Sequence, residues 1–293
     1  MSSLYLKHFG LDSPPFSITP DPKFFFAGAN RGAFVDALLH AALQADGIVL
    51  VIGEVGSGKT LMSRMLLSQL SDDVDTVYLP NPSFSRDEII DVIARDLGLA
   101  EHGVPLEQLQ QELIRRHASG RRVVLLIDEA HAMPIDSIEE VRRLSNLETE
   151  QHKLIQIILC GQPELDTLLA APQLRQVRDR VVYRLMLRKL SRQDAASYLD
   201  HRLRIAGWRE GRMFSGFAER LLLSDAQGRI RRLNLIADKS LLAAFAQGKN
   251  RVNASHVYLA IKDTGANFSS TAANALLIGL IAPTIIWLTE LFN

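Results

Sequence analysis

The feature of this sequence that most constrains its fold is a glycine-rich loop between an apolar run and an amphipathic segment. Residues 48–52 are all β-branched or aliphatic, which is typical of a strand buried on both faces of a parallel sheet. Residues 59–70 then carry apolar side chains at helical spacing. The loop itself reads Gly53-Glu54-Val55-Gly56-Ser57-Gly58-Lys59-Thr60. An accidental match would lack the flanking strand and helix, so the pattern predicts a polyphosphate-binding loop.

The chemistry of such a loop follows from its residue types. The glycines let the backbone turn tightly enough to aim its N–H groups at an anion, and the next helix points its positive end the same way. We therefore expect all eight residues of the loop to contact a nucleotide. Lys59 should reach the β- and γ-phosphates of ATP, and the Thr60 hydroxyl should ligate Mg²⁺.

A second apolar run ends in two carboxylates. Residues 123–127 are followed directly by Asp128 and Glu129, which the strand would deliver to the sheet edge where the phosphates lie. We expect Asp128 to hold Mg²⁺ and Glu129 to act as the general base on water. The alternative is a solvated acidic strand end. The letters Asp-Glu-Ala-His also occur in helicases, but no other helicase motif accompanies them, and His131 is interpreted as structural.

Other polar residues are candidates for the same reaction. Gln162 follows the predicted fourth strand and can sense the γ-phosphate or orient water, and a loop-capping role is equally open. Arg231, at the start of a helix in the second half of the chain, can swing over the phosphates. Asn81, after the second strand, can hold Glu129 inactive, although a turn-forming role is the simpler interpretation.

Arginines before the fifth strand are candidates for action on a neighbouring subunit. Arg175, Arg178 and Arg180 precede residues 181–187, and an arginine at a subunit edge can stabilise transition-state charge in the next site. Arg180 is the first choice and Arg178 the second. The alternative for each is a solvated basic helix.

The pattern of apolar segments predicts an α/β fold followed by a helical part. Five apolar strands alternate with helices, which calls for a parallel sheet covered on both faces. After Lys189, four helical stretches follow with no strand between them. We predict a nucleotide-binding domain at 1–188, a helical lid at 189–262, a linker at 263–271 and a hydrophobic helix at 272–292. Residues 1–28, the N-terminal strap, contain four prolines and two aromatic clusters, which predicts an extended segment rather than a helix or strand. Its phenylalanines can complete the core, and part of it can close over the adenine.

Composition excludes little but is informative at two points. The 293 residues carry 33 basic and 33 acidic side chains, so bulk charge does not imply a polyanion partner. The single cysteine, Cys160, lies in an apolar run and is expected to be a buried, reduced thiol. Residues 1–26 have no apolar region of the kind found in secretory signals.

 The C-terminal segment is the most hydrophobic part of the chain. No residue from 264 to 289 is charged, and 275–288 is nearly all apolar. A helix over 272–292 would be about 31 Å long, close to the hydrocarbon thickness of a bilayer. Lysine and arginine on its near side predict a single C-terminal membrane span, with the nucleotide-binding part in the cytoplasm. The alternative is a helix that docks on a partner.

These parts, in this order, resemble the AAA+ ATPase superfamily. The loop at 53–60 corresponds to Walker A, residues 125–129 to Walker B, Gln162 to sensor 1 and Arg231 to sensor 2, with finger arginines near 178–180. Four further segments are similar to those of general-secretion-pathway A-type and MSHA-pilus-type ATPases. They are Tyr5, Phe9-Gly10-Leu11, the proline-rich part of the strap and Gly161-Gln162-Pro163-Glu164-Leu165. The resemblance implies ATP, Mg²⁺, a homo-oligomeric ring or partial ring, and work at the inner membrane on secretin or pilus assembly.

Two other functions remain open at the level of sequence. One is a DNA-binding regulatory ATPase of the transposition or initiation type, motivated by arginines in the predicted lid. These are Arg202, Arg204, Arg209, Arg212, Arg229, Arg231 and Arg232. The other is a nucleotide-bound scaffold with negligible turnover. The apolar segment at the C-terminal end favours an envelope function over DNA binding.

Overall fold

A five-stranded parallel sheet forms the centre of the first domain, as the sequence predicts. The computed structural model describes residues 4–80, 84–99, 102–149 and 152–265. The strand order is β2-β3-β4-β1-β5, so β1 lies between β4 and β5. The strands are β1 Ile48–Gly53, β2 Val74–Leu79, β3 Arg122–Ile127, β4 Gln156–Gly161 and β5 Val181–Leu187.

The central strands are apolar on both faces because helices cover both faces. All six residues of β1 and of β4 are buried. Alternate residues of β1 point into different cores: Ile48 belongs to one, and Val49 to the other. Ile48 is level with Ile157 of β4, which places the carboxyl ends of the two strands side by side. Because the strands are parallel, the loops that follow them meet at one edge of the sheet.

The helices agree with the predicted segments to within a few residues. Ser85 forms the expected capping box with Glu88 at the start of α4. The helices of the first domain are α1 Leu6–Phe9, α2 Arg31–Gln44, α3 Lys59–Gln69, α4 Arg86–Asp96, α5 Leu106–Ala118, α6 Ile135–Ser145, α7 Glu164–Leu169 and α8 Arg175–Arg178. Short 3₁₀ turns occupy Pro22–Phe24, Ala130–Ala132 and Pro172–Leu174.

The second domain is a bundle of helices that shares its core with the strap. Its helices are α9 Arg192–Ile205, α10 Gly216–Ala226, α11 Ile230–Ala246 and α12 Ala254–Asp263. Aromatic side chains of the strap, including Tyr5, Phe9 and Phe16, are buried among leucines and alanines of these helices. Phe9, Phe16 and Phe24 therefore complete the core of the helical lid, whereas Phe25 packs against a small cluster on the sheet side that contains Val35, Met62 and Leu187.

One local prediction is wrong. The strap is not wholly extended, because α1 forms one helical turn and ends at Gly10 with φ 61°. β4 ends at Gly161, so the chain leaves the strand at Gln162. α2 stops at Gln44, three residues before Gly47. Glycine is required at position 47 because the backbone of Arg180 passes close to it.

Two predictions lie outside the described residues. The hydrophobic helix at 272–292, with most of its linker, is one, and Asn81 is the other. Across the described ranges, which end at residue 265, no helix is both long and apolar enough to cross a bilayer.

Candidate functional site

The phosphate-binding loop has the geometry that its glycines predict. Gly56 and Gly58 have φ of 72° and 105°, which are left-handed values that favour glycine. Gly58 then precedes the first residue of α3, so the amino end of that helix faces the loop. The loop is therefore shaped to present backbone N–H groups and a helix dipole to an anion.

Backbone carbonyl groups of the loop hold the Lys59 side chain in place. Its side chain is only 5% exposed. Its Nζ donates to the carbonyl oxygens of Gly53, at 2.7 Å, and Glu54, at 3.3 Å. The Glu54 carboxylate pairs with Lys189, where the chain enters the lid. A buried ammonium with only carbonyl partners is suited to an additional anionic partner.

The two predicted metal ligands touch each other. Thr60 Oγ1 donates to Asp128 Oδ2 at 2.9 Å, and the Glu129 backbone N–H donates to Asp128 Oδ1 at 2.9 Å. Asp128 is 2% exposed, so its carboxylate lies behind Thr60. Oxygen donors of this kind suit Mg²⁺, which keeps water and phosphate oxygens in the rest of its shell. The residues present fit a nucleotide-bound magnesium ion.

Tyr78, at the end of β2, also belongs to this cluster and was missed from the sequence. Its hydroxyl lies 3.5 Å from Asp128 Oδ2. Burial, with the Asp128 charge as a further cause, raises the pKa of Tyr78 to about 12. The signal was available, because β2 and β3 are neighbours and Tyr78 is level with Leu126, near the carboxyl end of both strands.

Glu129 and Gln162 are in direct contact. Glu129 has φ 52°, an uncommon conformation for a residue with a side chain and one that functional sites often retain. Gln162 Nε2 donates to Glu129 Oε2 at 3.2 Å, and it lies 2.8 Å from His131 Nε2. His131, interpreted as structural from the sequence, is therefore in contact with the proposed catalytic pair.

A cavity of about 590 Å³ lies where the loop, the strap and the lid meet. The loop contributes Val55, Gly56, Gly58, Lys59 and Thr60. Glu129, Gln162 and Arg231 line it as well, so eight of the predicted site residues surround one space. Gly53, Glu54, Ser57 and Asp128 are absent from this lining and lie behind it or beside it. The volume and the mixed polar and apolar walls are typical of a small-molecule site.

The lid contacts the phosphate loop directly. The backbone N–H of Arg231 donates to the Gly56 carbonyl oxygen at 3.3 Å. A methyl group at Gly56 would lie 2.8 Å from Arg231 Cβ, so only glycine permits this approach. The first turn of α11 is thus closed on the loop, with Ile230 next to Gly58.

The strap forms the wall opposite the loop, and the lid holds it there. Asn234 Nδ2 donates to the Ser17 carbonyl oxygen at 3.3 Å, and Arg202 Nη2 donates to the same oxygen. Arg202 is 3% exposed and stacks on Phe24, with 4.3 Å between its Cζ and the ring centre. Residues 17–21 of the strap line the cavity together with Phe25 and Phe26.

Similarity to known proteins agrees with this geometry. Residues 42–169 match the family described as AAA domain. The chain is 36% identical over 289 residues to general secretion pathway protein A of Aeromonas hydrophila. Residues 42–169 therefore resemble AAA domains in sequence as well as in the geometry of the phosphate-binding loop. The alignment covers 97% of this chain and 53% of that relative, so the chain spans about half of the relative's length.

Solved structures with the same fold agree with this resemblance. The ORC2 protein of Aeropyrum pernix, in its ADPNP–ADP complexes, superposes with a TM-score of 0.64 at 18% identity, covering 87% of this chain and 74% of that one. Cdc6p of Pyrobaculum aerophilum superposes with a TM-score of 0.67 at 21% identity, covering 85% and 70%. At these identities the similarity concerns the fold alone.

The candidate finger arginines lie away from the cavity of their own subunit. Ile48, at the start of β1, donates its backbone N–H to the Arg180 carbonyl oxygen, whereas the phosphate loop follows the far end of β1. Arg178 is exposed on α8, and neither it nor Arg180 lines the cavity.

The structure reduces the number of lid arginines available to DNA. Arg202 is buried against the strap, Arg231 lines the cavity, and Arg232 pairs with Asp225 at 2.5 Å. Seven arginines motivated the DNA-binding hypothesis. Within the described part of residues 4–265, only three of them are exposed and do not line the cavity. They are Arg204, Arg209 and Arg212.

Arg31 is a second residue that sequence reasoning missed. It is 3% exposed and lines the cavity, and its Nη2 donates to the Ser57 carbonyl oxygen at 2.8 Å. Burial lowers the pKa of Arg31, since no carboxylate is bonded to it in the described part of the chain. A signal existed: Arg31 opens α2, and a cation at a helix amino end is unfavourable without a specific partner.

Proposed function

We propose that this chain binds ATP with Mg²⁺ in the cavity between the phosphate loop, the strap and the lid, and hydrolyses it there. The observation that carries the proposal is the convergence on one space of Lys59, Thr60, Glu129 and Arg231, which come from distant parts of the sequence. Each supplies a group that phosphoryl transfer from ATP to water requires.

The roles of the residues follow from their contacts. Lys59 exchanges a carbonyl partner for phosphate oxygens, which it neutralises. Thr60 and Asp128 would hold Mg²⁺, whose charge would offset that of the phosphates. Glu129 accepts the proton of the attacking water, and Gln162 directs its amide to Glu129. Arg231 adds positive charge from the lid side.

The strap gives the site its base-binding wall. Phe25, Phe26 and residues 17–21 of the strap line the cavity together with the phosphate loop. An apolar surface beside backbone donors and acceptors is suited to a purine ring. Because Arg202 and Asn234 tie this segment to the lid, adenine binding and lid position are coupled.

The site is completed by a second copy of the chain. Arg180, or Arg178 beside it, is placed at a surface away from its own cavity and is free to enter that of a neighbour. A guanidinium there would stabilise charge on the transferring phosphoryl group. The active species is therefore a homo-oligomer, a ring or partial ring.

Complementation between two inactive variants tests this arrangement. Glu129→Gln lacks the base but keeps Arg180, and Arg180→Ala lacks the arginine but keeps the base. We expect each alone to release phosphate at a rate about 100-fold below wild type, and the mixture to recover a measurable fraction of it. Arg115→Ala, which removes an exposed arginine on α5, is the matched control and should stay active. A mixture no more active than its components would exclude Arg180 as a residue acting in trans.

The cellular role we propose is assembly of an envelope complex, a secretin or a type IV pilus, at the bacterial inner membrane. The support is the similarity to general secretion pathway protein A along nearly the whole of this chain. The apolar residues 264–289 would anchor the protein.

Membrane attachment and partner identity are tested in the native host. After alkaline carbonate extraction, we expect the full chain to stay in the membrane pellet, and a version ending at residue 265 to be released. Crosslinking in native membranes, followed by affinity capture, should then recover envelope-assembly proteins in an ATP-dependent manner, with Lys59→Ala as the control. Release of the full chain by carbonate would contradict the anchor, and ATP-independent recovery would contradict the coupling.

A further inference from the structure

His131 lies in a short turn that packs against the end of β4. The turn Ala130–Ala132 follows Glu129 directly. A methyl group built on Gly161 would lie 3.4 Å from the His131 backbone nitrogen, so the two segments are in close contact there. Gln162 is the next residue after Gly161, and its side chain faces the ring of His131. Two loops that follow neighbouring strands therefore bring His131, Gln162 and Glu129 together.

The Glu129 contact fixes the orientation of the Gln162 amide. If the amide were reversed, its oxygen would face a carboxylate oxygen at 3.2 Å, which is repulsive. The nitrogen therefore faces both partners, and its two hydrogens point one to each. His131 Nε2, at 2.8 Å, must then be the acceptor. An imidazole that accepts at Nε2 is neutral and carries its hydrogen at Nδ1.

The remaining contacts connect His131 to Glu129 through Gln162. His131 Nε2 is 3.6 Å from Glu129 Oε2, which is too long for a direct hydrogen bond. His131 Nδ1 is buried with no hydrogen-bond partner in the described ranges, so the ring's placement satisfies Nε2 at the expense of the other nitrogen. Glu129 has a side chain that is 43% exposed and needs such a restraint to keep one orientation.

We propose that His131 is a positioning residue for ATP hydrolysis. By accepting one hydrogen of the Gln162 amide, its neutral ring directs the other hydrogen to Glu129 Oε2. The Glu129 carboxylate is thereby held toward the cavity, where it meets the attacking water. The inference rests on the proposed role of Glu129 as the base. Misplacement of a catalytic group by an ångström is enough to cost orders of magnitude in rate.

Replacing His131 by residues of similar size tests whether its hydrogen-bond acceptor is needed or only its volume. His131→Leu removes the acceptor, whereas His131→Gln restores an oxygen at the position of Nε2. For the full chain, we expect His131→Leu to lower kcat about 10-fold with the Kd for ATP within about 2-fold of wild type. His131→Gln should recover kcat to within about 3-fold of wild type. His40→Gln, at an exposed histidine of α2, is the matched control and should match wild type.

A double-mutant cycle decides whether the effect passes through Gln162. If it does, adding His131→Leu to Gln162→Ala should change kcat by less than about 2-fold. A full 10-fold further loss would overturn the inference, as would wild-type kcat for His131→Leu. If the leucine variant does not fold, as judged by thermal melting, His131→Asn takes its place, since its amide is too short to reach Gln162 and should lower kcat equally. Glu129→Gln is measured alongside: turnover by that variant would refute the base, whereas an inactive Glu129→Gln with an active His131→Leu would refute only the positioning role.

Discussion

The sheet domain and the helical lid contribute to the same cavity by different routes. In the sheet domain, Lys59, Asp128 and Gln162 lie in segments that follow strands, and they reach the site because parallel strands end together. In the lid, Arg231 reaches the site because the first turn of α11 is pressed against the phosphate loop. The strap belongs to the lid by packing, although it lies more than 160 residues earlier in the chain. The sheet side is therefore fixed by topology, and the lid side is fixed by contacts that can be broken.

The largest expected effect comes from the sheet side. Lys59→Ala removes the buried ammonium at the loop, and we expect ATP binding to weaken about 100-fold because charge-assisted hydrogen bonds to phosphate are lost.

Glu129→Gln should keep the Kd for ATP within about 3-fold and reduce phosphate release about 100-fold or more. Nucleotide titration and a phosphate-release assay measure the two quantities. Wild-type turnover by the glutamine variant would remove Glu129 from its assigned role.

The next largest effect is expected from a substitution that disturbs the packing of the lid. Gly228 has φ 73°, and a methyl group there would collide with the Leu190 carbonyl oxygen, where the lid begins. Gly228→Ala should therefore lower the free energy of unfolding by about 3 kcal/mol, the cost of a left-handed alanine plus that of displacing Leu190. It should also weaken ATP binding, because α11 starts two residues later.

A second glycine supplies the control for that variant. Gly248 has φ 63° and nothing within 4 Å of the added methyl group. Gly248→Ala should cost only about 1 kcal/mol, from the left-handed conformation alone, and leave ATP binding unchanged. Urea unfolding, followed by ATP titration of each variant, makes the comparison. Equal losses at the two positions would show that contact with Leu190 does not fix the lid.

The smallest expected effect is on stability and concerns Asp75, a residue of the sheet domain far from the cavity. Hydrogen bonds from Arg121, opposed by burial and aided by Arg116, lower the pKa of Asp75 to about 2. A carboxyl whose pKa is lowered by folding stabilises the protein above its ordinary pKa, near 4, and this stabilisation is lost as pH falls toward 2. We expect Asp75→Asn to lose about 1 kcal/mol at pH 7, after allowance for solvent screening.

Unfolding at two pH values measures that contribution. The difference between wild type and Asp75→Asn should shrink at pH 2.5, where the wild-type carboxyl begins to take up its proton. Asp72→Asn, at an exposed position three residues earlier, serves as the control and should match wild type at both values. A difference that stays constant with pH would mean that Asp75 acts by packing and not by its charge.

Sequence patterns predicted the sheet side of the site almost completely. The five strands, the loop at Gly53 to Thr60, and the placement of Glu129 and Gln162 follow from runs of apolar residues that end in polar ones. Tyr78 and Arg31 were missed because each looks ordinary in its own segment: one is an aromatic in a strand, and the other is an arginine at the start of a helix. Their roles depend on what lies across from them, Asp128 for one and Ser57 for the other.

The sequence by itself determined the chemistry that we propose for this protein, because phosphate binding and base catalysis use residues that strand–loop–helix units carry locally. Only the tertiary structure decided which surface closes the cavity. Asn234 and Ser17, which are 217 residues apart, meet because strap aromatics and lid leucines bury one another. Burial of apolar area is non-directional and leaves no periodic signal of its partner in the chain. For the same reason, the closeness of His131 to Gln162 became visible only when the loops after two neighbouring strands were brought side by side.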